Sequence, residues 1–371
     1  MTRHYLDHAS TSPTRPAAID AMVGTLRDLA GDPSRIHAEG MAARGAVEVA
    51  RDQVASFFGC RSSREVVFTS GATESIATAV FGAAGRGGHQ VLTAVEHSAV
   101  RLAVANAGEF TVVGVDEKGR VAVDDVVDAL RPDTACVHVQ WGNHEVGTVQ
   151  PVADVIAACR SRGVLVHVDA AQAGGHVEIG FEALGCDLLS VSAHKLGGPP
   201  GVGALLVRRG VRIRPLLVGG DQERARRAGY ENLPAIAGFG ASVESIDVAA
   251  EGASQRALTD RILTGVDDGL VPYGDLDHRL PHLVCFGVPG IEPQAVLLGL
   301  DRAGIAAHSG SACSSEALEP SPVLAAMGVD AHRSLRLSVG WSSTDEDVDA
   351  VLDALPRVIA DLRRLGASAD R

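Results

Sequence analysis

Concentrated positive charge is missing from this sequence. Its 33 Lys and Arg residues face 46 Asp and Glu, a formal net charge of -13, and no basic block stands out. Phosphate backbones are bound by clustered Lys and Arg, so no nucleic-acid partner is expected. Apolar runs of membrane-spanning length are also missing, each being broken early by charge or glycine, so no membrane association is expected. Residues 1–10 lack the apolar centre of a secretory leader. The six cysteines form no CxxC pair and no dense cluster, which argues against a disulfide scaffold and against a metal site. Scattered thiols of this kind suit a reducing cytoplasm. Neither a Walker loop nor a dinucleotide fingerprint occurs, and no internal repeat or low-complexity stretch is visible.

What remains is an ordinary globular composition. Hydrophobic residues make up 46% and charged residues 21% of 371, enough to build a large core rather than a disordered chain. That length predicts two packed domains. Between about residues 60 and 210, seven short β-rich runs alternate with helical stretches: Val66–Thr69, Gln90–Ala94, Phe110–Val115, Ala135–Gln140, Leu165–Val168, Leu188–Ser192 and Gly203–Val207. Several runs are almost wholly apolar, as strands covered on both faces must be. The alternation predicts an α/β unit, a mostly parallel seven-stranded sheet flanked by helices, with reactive groups beyond the carboxyl ends of its strands. After about residue 250 the texture changes to that of a smaller α+β unit, with a strand predicted at His282–Val288 and a helix from Glu292 to Ala303.

Three segments within the first unit carry chemistry. Ser192-Ala193-His194-Lys195 follows a strand and opens a turn rich in Gly and Pro. A lysine there is placed where backbone approaches a ligand closely, and partial desolvation would free its amine for Schiff-base chemistry. Most isolated lysines are merely solvated, so this one gains meaning only from its neighbours. Asp169 ends an apolar strand, where its carboxylate can hold a pyridine nitrogen protonated or simply cap the next helix. Thr69-Ser70-Gly71-Ala72-Thr73-Glu74 joins a strand to a helix, leaving N–H groups free for an anion such as phosphate, although tight turns need the same small residues. Cys313 is different again. It stands in Ser311-Ala312-Cys313-Ser314-Ser315, a stretch with little to bury, which predicts an exposed loop and a reactive thiol. The other five cysteines sit in apolar runs or near helix ends, where thiols are buried and inert.

These segments, with Tyr5-Leu6-Asp7-His8-Ala9, Glu96-His97, Asn143-His144-Glu145-Val146-Gly147, Glu223 to Asn232 and Ser334-Leu335-Arg336, resemble in order and over nearly the whole chain the cysteine desulfurases of the class V aminotransferase group. The resemblance implies fold type I and pyridoxal 5'-phosphate (PLP) as cofactor. It implies a large PLP-binding domain over 15–249 and a small domain of 1–14 and 250–371, carrying a cysteine loop at about 307–320. Lys195 would then carry the cofactor and move protons, while Asp169 pairs with the pyridine nitrogen and Gln172 with the phenolic oxygen. Ala72, Thr73, Ser192 and His194 match the phosphate cradle. His97 matches the residue stacked on the ring, an acid or base. Arg336 matches the guanidinium that grips the substrate carboxylate, a role suited to its planar fork. Cys313 matches the nucleophile that takes sulfur from L-cysteine.

The chain departs from the family pattern at His144, where a second Asn usually contacts the phenolic oxygen, and at Tyr230, where a Thr usually reaches the partner subunit's phosphate. A homodimer and a sulfur-acceptor protein, serving iron–sulfur clusters, tRNA or another thio-cofactor, are the implied partners. Two other functions stay open on the sequence: a PLP-dependent C–S or selenocysteine lyase, and a weakly catalytic PLP-bound subunit that docks partners.

Overall fold

The computed structural model describes residues 3–85, 88–266, 269–310 and 320–369. Twelve strands are found among them: β1 (His4–Tyr5), β2 (Val66–Thr69), β3 (His89–Thr93), β4 (Phe110–Val113), β5 (Thr134–Gln140), β6 (Leu165–Asp169), β7 (Leu188–Ser192), β8 (Gly203–Val207), β9 (Val271–Tyr273), β10 (Leu283–Gly287), β11 (Ile305–Ala306) and β12 (Ser334–Ser338). Seven of these form one sheet in the order β2-β8-β7-β6-β5-β3-β4. Every residue of β5, β6, β7 and β8 is buried, which explains their nearly continuous apolar sequences. β4 at the sheet's edge shows outward residues instead.

The sheet is an α/β sheet of mostly parallel strands, as its sequence predicts. Only β8 runs against the rest, pairing antiparallel with both β7 and β2. The reason is the linker: residues 193–202 are too few for the helical crossover that a parallel return needs. Gly203, which begins β8, has no room for a side chain, since a Cβ would stand 2.5 Å from the Val191 carbonyl and 2.7 Å from Gly71 Cα. That close approach presses the turn after β2 against the end of β7.

Helices α1 (Pro16–Asp28), α2 (Ala38–Phe57), α3 (Ala72–Ala84) and α4 (Ser98–Ala107) precede or follow the first strands. α1 and α2 both pack on the largely buried helix Leu233–Glu244. The principal core joins α2, the sheet and that helix. A second core contains Leu6 together with residues between Leu258 and Ile359. It backs an antiparallel sheet in the order β12-β10-β9, while β1 pairs with β11. The first residues of the chain are therefore built into the C-terminal part. Among the described residues no single helix is long and apolar enough to cross a membrane.

Candidate active site

A cavity of about 520 Å³ opens beyond the carboxyl ends of the parallel strands. Its wall brings together Ala72, Thr73, His97, His144, Asp169, Gln172, Ser192, His194, Lys195 and Arg336. Most arrive from the ends of the large sheet's strands or the turns that follow them. Asp169 is the last residue of β6, Ser192 the last of β7, and Lys195 closes the 3-10 turn that follows. Ala72 and Thr73 open α3, and His97 caps α4. Arg336 lies mid-strand in β12 and is supplied by the second sheet.

The Lys195 Nζ donates to Gln172 Oε1 at 2.9 Å. Burial, with the nearby Arg336 charge, holds its pKa down at about 8, against the opposing pull of Asp169 and Asp7. Asp169 is buried, and that burial raises its carboxyl above the usual range. The N–H of Ala171, 3.0 Å from Oδ1, and the charges of Lys195 and His144 oppose the rise. The His97 Nδ1 accepts from the N–H of Ala99 at 3.1 Å, so its proton sits on Nε2. Burial first, then His144, Lys195 and Arg101, push His97 down to about 3, leaving a neutral ring at physiological pH. It meets His144 edge-on, with 5.1 Å between ring centroids. Burial and Lys195 lower His194 to about 4, and its Nδ1 lies 3.1 Å from Thr11 Oγ1.

A guanidinium as deeply buried as that of Arg336 must be compensated. Nη2 donates to Asp7 Oδ1 at 2.9 Å and to Ser10 Oγ at 2.7 Å, and Nη1 to the His144 carbonyl at 2.7 Å. Sequence reasoning assigned no role to Asp7 or Ser10. An arginine inside an apolar strand was the available signal, because it demands a carboxylate partner.

One expected residue is not in this wall. Tyr230 is 62% exposed and donates its hydroxyl to the Gly31 carbonyl at 3.0 Å. Cys313 lies outside the described residues. His308 lines the cavity, and Ser321 Oγ donates to Glu145 Oε2 at 2.6 Å, beside His144.

The residues present fit PLP. The α3 N-terminus begins at Gly71 with no side-chain cap, leaving first-turn N–H groups for a phosphate. His144 Nδ1 is buried without a partner, and Asp169 is a desolvated carboxyl suited to a protonated ring nitrogen.

An amine with a lowered pKa, a buried carboxyl and an anion-binding helix start, set at the ends of parallel strands, define the site of a PLP-dependent enzyme. The chain belongs to the class-V aminotransferase family, whose model matches residues 4–351. It is 43% identical to a cysteine desulfurase of Gluconacetobacter diazotrophicus, over 98% of this chain and 95% of the relative. Among solved structures, a NifS-like protein superposes with a TM-score of 0.90 at 32% identity, covering 97% of this chain and all of the other. A structure of SspA in complex with cysteine superposes with a TM-score of 0.82 at 28% identity, covering 92% and 100%.

Proposed function

We propose that this protein is a cysteine desulfurase that moves the sulfur of L-cysteine onto Cys313, leaving L-alanine. The observation that carries the reading is the Lys195–Gln172 contact at 2.9 Å in a cavity shared with Asp169 and Arg336. Asp169 would hold the pyridine nitrogen of PLP, Gln172 and His144 its phenolic oxygen, and the start of α3 with Ser192 and His194 its phosphate. PLP supplies an electron sink at the α-carbon of a bound amino acid.

The chain's own groups do the rest. Arg336 grips the substrate carboxylate and so sets which bond at the α-carbon faces Lys195. Lys195, neutral for part of the time near pH 8, takes and returns the α-proton. His97, a neutral cavity-lining ring with its proton on Nε2, would pack against the cofactor ring and can exchange a proton. The Cys313 thiolate attacks the substrate sulfur. The carbon–sulfur bond breaks, a sulfur–sulfur bond forms, and the thiol proton is accounted for in alanine. The products are alanine and a Cys313 persulfide.

A sulfur-acceptor protein then takes that sulfur. The working form is a homodimer, an idea supported by the exposed apolar residues Leu26, Ile36 and Val218 on the same chain as the exposed Tyr230. Product analysis with L-cysteine tests the reading. Alanine, with sulfide released only when a thiol reductant is present, is expected. Pyruvate with free sulfide would identify a lyase, and no turnover a docking subunit.

A further inference from the structure

Gln172 stands between two groups that decide which way its amide points. Its Oε1 accepts from Lys195, and its Nε2 lies 2.7 Å from Nε2 of His282. An amide nitrogen only donates, so the His282 Nε2 must accept and the ring proton must sit on Nδ1. His282 is fully buried and immediately precedes β10, in the second sheet. Its ring stacks on His176 with 3.6 Å between centroids and planes 12° apart. His176 is itself fixed, Nδ1 donating to Gln255 Oε1 at 2.9 Å. The Nδ1 of His282 is buried without a partner, an unfavourable arrangement that persists because Nε2 is needed as an acceptor. Burial, then His176, His8, Arg336 and Lys195, hold His282 well below the ordinary histidine range, so the ring stays neutral.

We propose that His282 is a positioning residue of the active site: by accepting from the Gln172 amide it turns the Gln172 carbonyl toward Lys195 and leaves the second amide N–H for the cofactor's ring oxygen. His176 is the wall that keeps the imidazole in that plane. The proposal rests on the reading of Gln172 as a cofactor contact. It also makes the seating of β10 against the large sheet part of the cofactor's environment.

The test uses the PLP-loaded protein and the pH midpoint of its visible absorbance. A donor to the ring oxygen drains negative charge that would otherwise hold a proton on the neighbouring lysine-derived nitrogen, so loss of the donor raises the midpoint. Gln172→Leu sets the reference shift. His282→Leu is expected to move the midpoint the same way and to add nothing in the double variant, with PLP released about fivefold faster, as for one lost neutral hydrogen bond. His282→Gln, whose amide oxygen reaches the place of Nε2, restores the native midpoint, whereas the shorter His282→Asn does not. An unchanged midpoint in Gln172→Leu overturns the reading of Gln172. A shift in Gln172→Leu with native values in His282→Leu and His282→Asn overturns the role of His282 alone. Should the His282 variants not fold, the side-chain nitrogen-15 spectrum of the native protein decides. A bare Nε2 on His282 is expected, and a proton on Nε2 refutes the proposal.

Discussion

Asp7 and Arg336, 329 positions apart in the chain, form an ion pair of 2.9 Å at the wall of the active-site cavity. The pair ties the first described residues to β12 and fixes the guanidinium in the cavity wall, where the proposed grip on the substrate carboxylate would be made. Lysine would keep the charge and lose the fork. Arg336→Lys is therefore expected to raise KM for L-cysteine about tenfold to a hundredfold, the range of one or two charge-assisted hydrogen bonds. Its PLP absorbance should be unchanged. Steady-state kinetics and a spectrum of the same sample check both halves.

Capture of PLP by the cofactor-free protein should depend on pH through Lys195. The attacking form is the neutral amine, and burial lowers the pKa to about 8, so the neutral fraction grows as pH rises through that value. The rate of visible-band formation is expected to climb between about pH 7 and 9 and then level. A rate still climbing steeply at about pH 10 would indicate an ordinary lysine. Lys195→Ala should give no lysine-bound band at any pH.

Five of the six thiols are held back by their surroundings or by burial. Burial pushes Cys60 and Cys285 up to about 12 and Cys159 to about 11, and Cys186 is raised as well; Cys136 is fully buried. The four with raised pKa are thiols at neutral pH, Cys136 is shut away from reagent by burial, and only accessible thiolates are alkylated quickly. Brief iodoacetamide treatment followed by peptide mapping should label Cys313 before the rest, and activity should fall in step with that label.

Arg51 and Glu223 form a bidentate pair with both distances at 2.7 Å, and Glu223 Oε2 also accepts from the N–H of Phe68. Both side chains are buried. The contact anchors three consecutive residues with positive φ, Glu223, Arg224 and Ala225, at the start of the segment that leads to Tyr230. Glu223→Ala removes the buried carboxylate of Arg51 and leaves it only the half-exposed Glu48 at 3.1 Å; it is expected to cost up to about 3–5 kcal/mol, seen as a lower unfolding midpoint in denaturant. A change within about 0.5 kcal/mol would mean that solvent replaces the carboxylate.

Local pattern made most of the large sheet legible. Runs such as Thr134–Gln140 and Leu188–Ser192 are apolar because both faces are covered, and that property is written in single segments. The reversed direction of β8 was readable only from the shortness of the 193–202 linker. The strand-end residues Asp169 and Lys195 could be found because each sits in its own turn signal. Asp7 and His282 could not, since their meaning comes from Arg336 and Gln172 across the two sheets, and sequence spacing carries no trace of those contacts. Tyr230 belongs to a further class. Its place within one chain is against Gly31, outside the cavity wall.

Transfer of sulfur to Cys313 is the central claim, and intact-protein and peptide mass spectrometry after a single addition of L-cysteine measures it. One added sulfur is expected on the peptide carrying Cys313, removed by a thiol reductant. In Cys313→Ala and Cys313→Ser that adduct should be absent and sulfur release should fall by orders of magnitude, while the bound-PLP spectrum is kept. Wild-type rates of sulfide release from Cys313→Ala, with no adduct on the native protein, would contradict it.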